Sequence, residues 1–426
     1  MYKPFSWSIE TASERIKILN QRLSVHAPEL ESVFTQTFLS TADAQVMAAK
    51  KMPDTLLKGA LVSVKDLFDV EGFVTKAGTL VMAQDGTASK DAQAVKNLRN
   101  AGAIFIGHTN MTEFAYSGLG LNPHYGTPNN AVSAGCIPGG SSAGAAISIA
   151  CDAADIAIGT DTGGSLRIPA AFNGIVGFKP TQSAVSRKGC KPLSTSLDSV
   201  GPMAKNVLGC RLAYEVLAKG SDTKKSTLEP TFIIPSNYGM ADLEPAVQAA
   251  FDAAIDKLSM AGHRVNVTKV DALEGLKSLA IWQFSAVESR AEYEDLYQSK
   301  RAQFDTRVSS RMARADEVSA ISYCQTLDIR EQLIAQYKAE MGSKILLLPT
   351  VPILPPKLSI FSNDDVYTQI NLQVLRNPSI ANVIDGCSIS LPFTHEANTI
   401  GIMLTAAAYH DESLLELAQE CELLFS

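Results

Sequence analysis

The sequence predicts a single α/β domain, and three observations carry that expectation. The chain has 426 residues, 46% of them apolar, enough to bury a substantial core. Helix-period apolar positions followed by a short aliphatic run occur at two separate places, the order expected when helices cover a sheet. No repeat of fixed period breaks the pattern.

Taken in order, Ile16, Leu19 and Leu23 stand at helical spacing in the first sixty residues. The character changes at Gly59, after which ALVSVKDLFDV reads as a buried strand. DAQAVKNLRNAG then places Ala92, Val95 and Leu98 on one helix face, a glycine stops it, and AIFIGHTN follows as a strand. The order recurs later. TFIIPSNYG is a strand, EPAVQAAFDAAIDKLSMAG a helix with Val247, Phe251, Ala254, Ile255 and Leu258 on one face, and HRVNVTKV a second strand. Residues 285–340 are helix-like and charge-rich, an outer layer, and ILLLPT (345–350) adds a strand. GSDTKKSTLEP (220–230) is the one stretch resembling a linker, but strands on both sides can join one sheet, so the chain is kept whole.

Composition excludes several classes of function. Thirty-seven Lys and Arg stand against 44 Asp and Glu, a net charge of −7 with no basic block, which argues against direct nucleic-acid binding. Seven scattered cysteines include no C-x-x-C pair for zinc or redox exchange; they read as reduced and mostly buried, which favours the cytoplasm. The first residues lack the apolar core of a signal peptide. The most apolar stretch, Ala143 to Ile158, is broken by Asp152 and Asp155 and is too short to span a membrane, so it reads as core.

Between 118 and 202 the chain becomes rich in Gly, Ser, Thr and Pro, the mark of a positioned backbone. In GTDTGGS (159–165) two glycines allow successive N–H groups to converge, as an oxyanion hole requires, and the Ser165 hydroxyl follows at once. By itself the heptapeptide is better read as a glycine-rich turn displaying an exposed serine. PGGSSAG (138–144) contains G-x-S-x-G, the spacing of a nucleophile elbow at Ser142. An elbow follows a strand, whereas AVSAGCIP (131–138) is a poor strand ending in proline, so a serine-capped start to the small-residue helix SSAGAAISIACDAA is the better local reading. VKDLF places Lys65 in an apolar strand. Such a lysine snorkels, pairs with a carboxylate such as Asp66 or Asp69, or loses its proton through desolvation; only the last makes it a base, and strand spacing favours the first two.

Together these pieces resemble the amidase signature family. The 24-residue separation of Ser141 and Ser165, with the lysine strand about 75 residues upstream, matches the family pattern, as do MTEFAYSGLGLNPHYGTPNN, GGSSAGAA, GTDTGGSLRIPAAFNGIVGFKPT, STSLDSVGPMAKN and NPSIANVIDGCSISLP. The resemblance is strong over 59–207, returns at ILLLPT and at NPSIANVIDGCSISLP (377–392), and is weak between 210 and 340, with C-terminal strands and a helix over 344–426 expected to complete the same domain. It implies one domain over 1–426, an open twisted mixed sheet of about eleven strands with helices on both faces, and a variable helical substrate pocket at about 275–340. It implies Ser165 as the acylated nucleophile, Ser141 as a relay preceded by a cis peptide, and Lys65 as base. Thr162, Gly163, Gly164 and Ser165 would supply oxyanion N–H groups, and Ser142, Asp161 and Arg167 would orient the loop. Ala143 replaces the family's usual Gly or Ser, and an Arg common near Cys136 is missing, so the fit of substrate is in question; the Cys136 thiol reads as packing.

The activity implied is hydrolysis of a small amide, urea or carbamate, with no metal or organic cofactor, no membrane and, at most, a second copy of the chain as partner. A glutaminase subunit of a tRNA-dependent amidotransferase shares these motifs, but such subunits commonly carry Asn where Leu67 stands. A silent binding protein on the same fold would not need Lys65, Ser141 and Ser165 together. Near the variable region, Trp282, Tyr293, Tyr297, Arg301 and Arg307 are candidates to line the acyl pocket, and Arg376 could meet a substrate carboxylate, though an ion pair within the protein is the simpler reading.

Overall fold

A computed structural model describes residues 7–219, 227–229 and 231–425. Eleven strands, β1 (Phe34–Thr37), β2 (Leu61–Lys65), β3 (Ile104–Thr109), β4 (Ile156–Asp161), β5 (Val176–Lys179), β6 (Ser199–Ala204), β7 (Thr231–Pro235), β8 (Arg264–Thr268), β9 (Ile345–Pro349), β10 (Cys387–His395) and β11 (Asn398–Ala406), form one sheet. Its order is β1-β3-β2-β4-β6-β5-β10-β11-β9-β7-β8. The trios β3-β2-β4 and β9-β7-β8 are parallel, and every other neighbouring pair is antiparallel.

The helices are α1 (Ile9–Ser24), α2 (Leu39–Lys50), α3 (Gln93–Asn100), α4 (Ala143–Ala150), α5 (Arg167–Phe172), α6 (Val207–Leu217), α7 (Pro245–Met260), α8 (Trp282–Lys300), α9 (Thr306–Ala313), α10 (Ala320–Met341), α11 (Asp364–Leu375), α12 (Ser379–Val383) and α13 (Asp411–Phe425). Strand alternation sends Val62, Val64, Phe105, Ile156 and Ile158 into the core beneath α3, α6, α7 and α13. The intervening Leu61, Ile104, Ile106 and Ala157 join α1, α2, α4 and α5 on the other face. Because both faces are covered, the central strands read as continuous apolar runs rather than alternating ones.

The strand read from ALVSVKDLFDV ends at Lys65. The N–H groups of Leu67 and Phe68 turn back onto the Lys65 carbonyl at 2.6 and 3.2 Å, closing a tight turn at the strand's end. Segment 131–138 forms no strand beyond a single bridge between Cys136 and Lys357. The 220–230 stretch lies mostly outside the described residues, and β7 beyond it joins the common sheet. Pro202 sits inside β6, where a missing N–H would ordinarily cost a ladder bond. It is tolerated because β5 pairs only with Met203 and Ala204, leaving Pro202 beside a single neighbour, β4. Among the described residues no helix is long and apolar enough to cross a membrane.

The approach of α4 to the sheet edge sets the depth of the serine loop before it. A Cβ at Gly144 would stand 2.3 Å from the Val33 carbonyl and 2.6 Å from the Asn110 nitrogen, both backbone atoms that cannot yield. Gly144→Ala should therefore destabilise the protein by about 3 kcal/mol, read as a lowered midpoint in chemical denaturation with an unchanged slope.

Candidate active site

Adjacent parallel strands bring the first two elements of the site together. Val64 of β2 is in register with Ile158 of β4, so Lys65 at the end of β2 lies beside Thr160 near the end of β4. Carboxyl ends of neighbouring parallel strands are where α/β sheets offer a crevice. Lys65 shares its sheet face with Ser63, whose hydroxyl bonds that of Ser148 on α4 at 2.8 Å, and so points toward the start of that helix.

There Lys65 Nζ donates to Ser141 Oγ at 2.7 Å and to Thr160 Oγ1 at 3.0 Å. The lysine is wholly buried. Neither Asp66 nor Asp69 pairs with it: Asp66 accepts from Thr35 Oγ1 (2.7 Å) and the Lys76 N–H (3.1 Å), and Asp69 from Thr75 Oγ1 (2.7 Å). Desolvation pushes the Lys65 ammonium down to about 7, against the opposing pull of Cys190, Asp198 and Asp161. Snorkelling and pairing, favoured by strand spacing, are thus both replaced by desolvation.

The Gly140–Ser141 peptide is cis. Ser142 occupies the N-cap of α4 but its side chain makes no cap; its hydroxyl reaches the Thr160 carbonyl at 3.4 Å instead, so the serine-capped helix start read from the sequence does not form. The Ser142 N–H bonds the Ser165 carbonyl at 3.3 Å, which ties the two serine loops to each other.

The Ser165 loop is shaped by Asp161. Its carboxylate accepts from the Gly164 N–H (2.7 Å), the Leu166 N–H (3.1 Å), Arg167 Nε (3.0 Å) and Nη2 (2.9 Å), and Asn382 Nδ2 (3.0 Å). Burial alone would raise this carboxyl, but the charge and hydrogen bonds of Arg167 outweigh it and hold it at about 2. Gly164 adopts φ +131°, and a side chain there would collide with Pro378 at 2.6 Å, so only glycine fits the turn. Because the Gly164 N–H is taken by Asp161, the expected oxyanion set is narrowed: the N–H groups of Thr162, Gly163 and Ser165 are the ones without a partner among the described residues. Thr162 is itself anchored, its hydroxyl donating to Asp198 at 2.6 Å.

Above the loop opens a cavity of about 1140 Å³ whose wall includes Thr162, Gly163 and Ser165. Ser165 is 3% exposed, whereas Ser141 is fully enclosed. Trp282 and Arg307 line the cavity, as the variable segment suggested. Tyr293, Tyr297 and Arg301 do not: Tyr293 is buried on the Pro192 carbonyl (2.7 Å), and Arg301 stacks on Tyr297. Arg376 also lines the cavity and forms no ion pair among the described residues, contrary to the simpler sequence reading; it donates to the Asn377 side chain (3.2 Å) and the Gly239 carbonyl (3.1 Å). Cys136 is buried away from the cavity lining.

Three residues of the site went unrecognised as such in the sequence. Thr160 receives Lys65, Asp198 fixes Thr162, and Asn382 bridges Asp161 to Arg167 Nη2 at 2.8 Å. Each stood inside a motif already singled out, GTDTGGS, STSLDSVGP or NPSIANVIDG, so their signal was position within a dense motif rather than residue type.

A family model described as Amidase matches residues 8–415. Over 390 residues the chain is 31% identical to a 2-amino-5-chloromuconic acid deaminase of Comamonas testosteroni, covering 86% of this chain and 82% of that protein. It is 30% identical over 410 residues to a subunit of the glutamyl-tRNA(Gln) amidotransferase of Syntrophus aciditrophicus (strain SB), covering 86% of this chain and 83% of the relative. A crystal structure of an amidase superposes with a TM-score of 0.84 at 27% identity, over 98% of this chain and 95% of the other.

Removing one member of a buried ion pair leaves the other charge uncompensated. Asp161→Ala should therefore cost about 3–5 kcal/mol of stability, measured by urea denaturation, and should do so whether or not a ligand fills the cavity.

Proposed function

The chain belongs to the amidase family and is an amide-hydrolysing enzyme, and from that premise we propose that it acts through an acyl-enzyme on Ser165, with Lys65 as base and Ser141 as relay. The observation that carries the proposal is the wholly buried Lys65, 2.7 Å from Ser141 Oγ and without a carboxylate partner, beneath a cavity on which Ser165 opens.

A base must be unprotonated to act. At an ordinary lysine pKa of about 10.4, roughly one molecule in a thousand is neutral near pH 7.4; at about 7 the neutral form predominates. Neutral Lys65 takes the proton of Ser141 as Ser141 takes that of Ser165, and Ser165 Oγ attacks the amide carbonyl. The oxyanion falls to the N–H groups of Thr162, Gly163 and Ser165, supported by their lack of other partners among the described residues and by Asp161 and Asp198 fixing the loop on both sides. The proton returns through Ser141 to the leaving nitrogen as the C–N bond breaks. Water then attacks the ester by the same relay, releasing the acid. Asp161, paired with Arg167, still favours the protonated amine, and desolvation of Lys65 outweighs that pull.

The substrate we propose is a small amide, urea or carbamate hydrolysed by this chain alone. A second reading, the ammonia-supplying subunit of a tRNA-dependent amidotransferase, is favoured by the amidotransferase relative matching over most of the chain; such a protein would remain weakly active until joined by its partner and tRNA.

Ser165→Ala should fold normally and lose about 10³-fold or more of amide turnover, and mass spectrometry of the parent should place the acyl group on Ser165; an acyl group on Ser142 would overturn the assignment. For Lys65 the sign is fixed by its role. Activity requires the deprotonated amine, so kcat/KM should rise with pH through a midpoint of about 7 and level off above it. Lys65→Ala should abolish amide hydrolysis together with that rise, and a variant that keeps both removes lysine from the mechanism.

A further inference from the structure

We propose that the cavity above Ser165 selects amides bearing a carboxylate, which Arg311 and Arg376 bind. This rests on the amide-hydrolase reading of the site and adds its substrate class. The cavity wall carries Arg307, Arg311, Arg314 and Arg376 against only Asp242 and Asp364. Two of these arginines have acidic partners: Arg307 meets Asp364 at 2.7 Å, and Arg314 meets Glu317 at 3.7 Å while stacking on Trp282. The other two have none within ion-pair distance among the described residues. Arg311 Nη1 donates to the Tyr116 carbonyl at 2.7 Å and its guanidinium lies 5.3 Å from the Tyr367 ring centre. Arg376 holds the Gly239 carbonyl and the Asn377 side chain.

A guanidinium has five N–H donors in a planar fork suited to a carboxylate. Arg311 uses one of its donors on the protein and Arg376 two, so each keeps donors for a ligand. Both cations hang on segments that touch the serine loops. The carbonyl held by Arg311 lies two residues before Gly118, whose own carbonyl takes the Gly140 N–H at 2.8 Å. Arg376 follows Leu375, which packs 3.4 Å from the Cβ position of Gly163. At about 1140 Å³ the space far exceeds what an unsubstituted small amide fills, and Leu193, Leu197 and Ile281 offer an apolar wall for a stem joining the amide to a distant anion. Partial burial of the Arg376 side chain disfavours its charge, a cost that a bound carboxylate would offset.

The test uses the purified full chain and matched substrates. Succinamate, glutaramate and adipamate are compared with butanamide, pentanamide and hexanamide for a carboxylate on the acyl side, and 4-acetamidobenzoate with 4-acetamidotoluene for one on the leaving side. At least one acid should exceed its neutral match by about tenfold or more in kcat/KM. Arg311→Gln and Arg376→Gln should shrink that ratio at least fivefold, chiefly through KM, and Arg311→Lys should restore part of it. A purely structural role would lower both members of a pair alike and overturn the assignment of the arginine concerned. Neutral amides turned over with no acid preferred on either side would overturn the carboxylate inference while leaving the amide hydrolase standing. Where turnover is too slow to compare, protection of Ser165 from a fluorophosphonate probe decides: an acid should protect at a tenfold lower concentration than its neutral match, and equal protection refutes the inference. Failure of the probe to label Ser165 at all, with no turnover, would instead refute the catalytic reading.

Discussion

A lysine ammonium withdrawn from water without a carboxylate to receive it is the constraint around which this molecule is arranged. Leaving such a group in a protein interior is costly unless it sheds its proton, and the surroundings of Lys65 push it that way. The arrangement depends on what is kept from it. Asp198 and Asp161 both favour the protonated amine, yet neither pairs with it: Asp198 is held by Thr162 and two backbone N–H groups, and Asp161 by Arg167, Asn382 and two backbone N–H groups. The ion pair thereby shapes the loop bearing Ser165. An isolated buried pair is a poor source of stability, so its place here is better understood through the geometry and the electrostatics it imposes.

The sheet makes this possible because β2 and β4 are parallel neighbours ending at the same level. Lys65 and Thr160 come from those two strand ends, Ser141 from the turn entering α4, and Ser165 from the turn leaving β4. Lys65 bonds Ser141 and Thr160 directly, and the Ser142 N–H ties the Ser165 loop to the same turn. Side chains on strand ends, such as Lys65 and Thr160, are held more closely than side chains on loops alone.

Much of that framework is legible in the sequence, and the reasons are specific. The helices at 93–100 and 245–260 have clear apolar faces and short links to the strands that follow them, so they are readable from periodicity. Strands such as VGFK and SVGPMA are not, since they are short, carry glycine or proline, and are stabilised by neighbours far away in sequence. Ser142 misleads the local reading because a serine before a helix ordinarily caps it; the cis turn and the Thr160 carbonyl claim it instead. The fate of Lys65 is the hardest to read, as strand spacing shows a lysine among apolar residues but not that Asp66 and Asp69 are held elsewhere by Thr35 and Thr75. Arg376 is undecidable from sequence for the same reason: whether an arginine pairs internally depends on partners that only the fold assembles.

The wall of the cavity answers to different rules from its floor. It is contributed largely by α8, α9 and α11, where the family motifs fade, and it is fastened to the floor by a few polar bonds. Tyr116 donates to Ser285 and meets Ser289 of α8, Arg311 of α9 holds the Tyr116 carbonyl, and Asn371 of α11 takes both the Ser117 hydroxyl and the Gly118 N–H. All of these converge on residues 116–118, which lie against the Gly140 turn. Side chains between the fastening points can therefore change the size and charge of the cavity without disturbing Lys65, Ser141 or Ser165. Residues that serve both purposes, such as Arg311, are the exception, because exchanging one of them alters the lining and loosens the wall together. That coupling bears on the proposed carboxylate: a position that must hold a backbone carbonyl needs only one donor, and the donors left over on Arg311 are the ones the proposal assigns to a ligand.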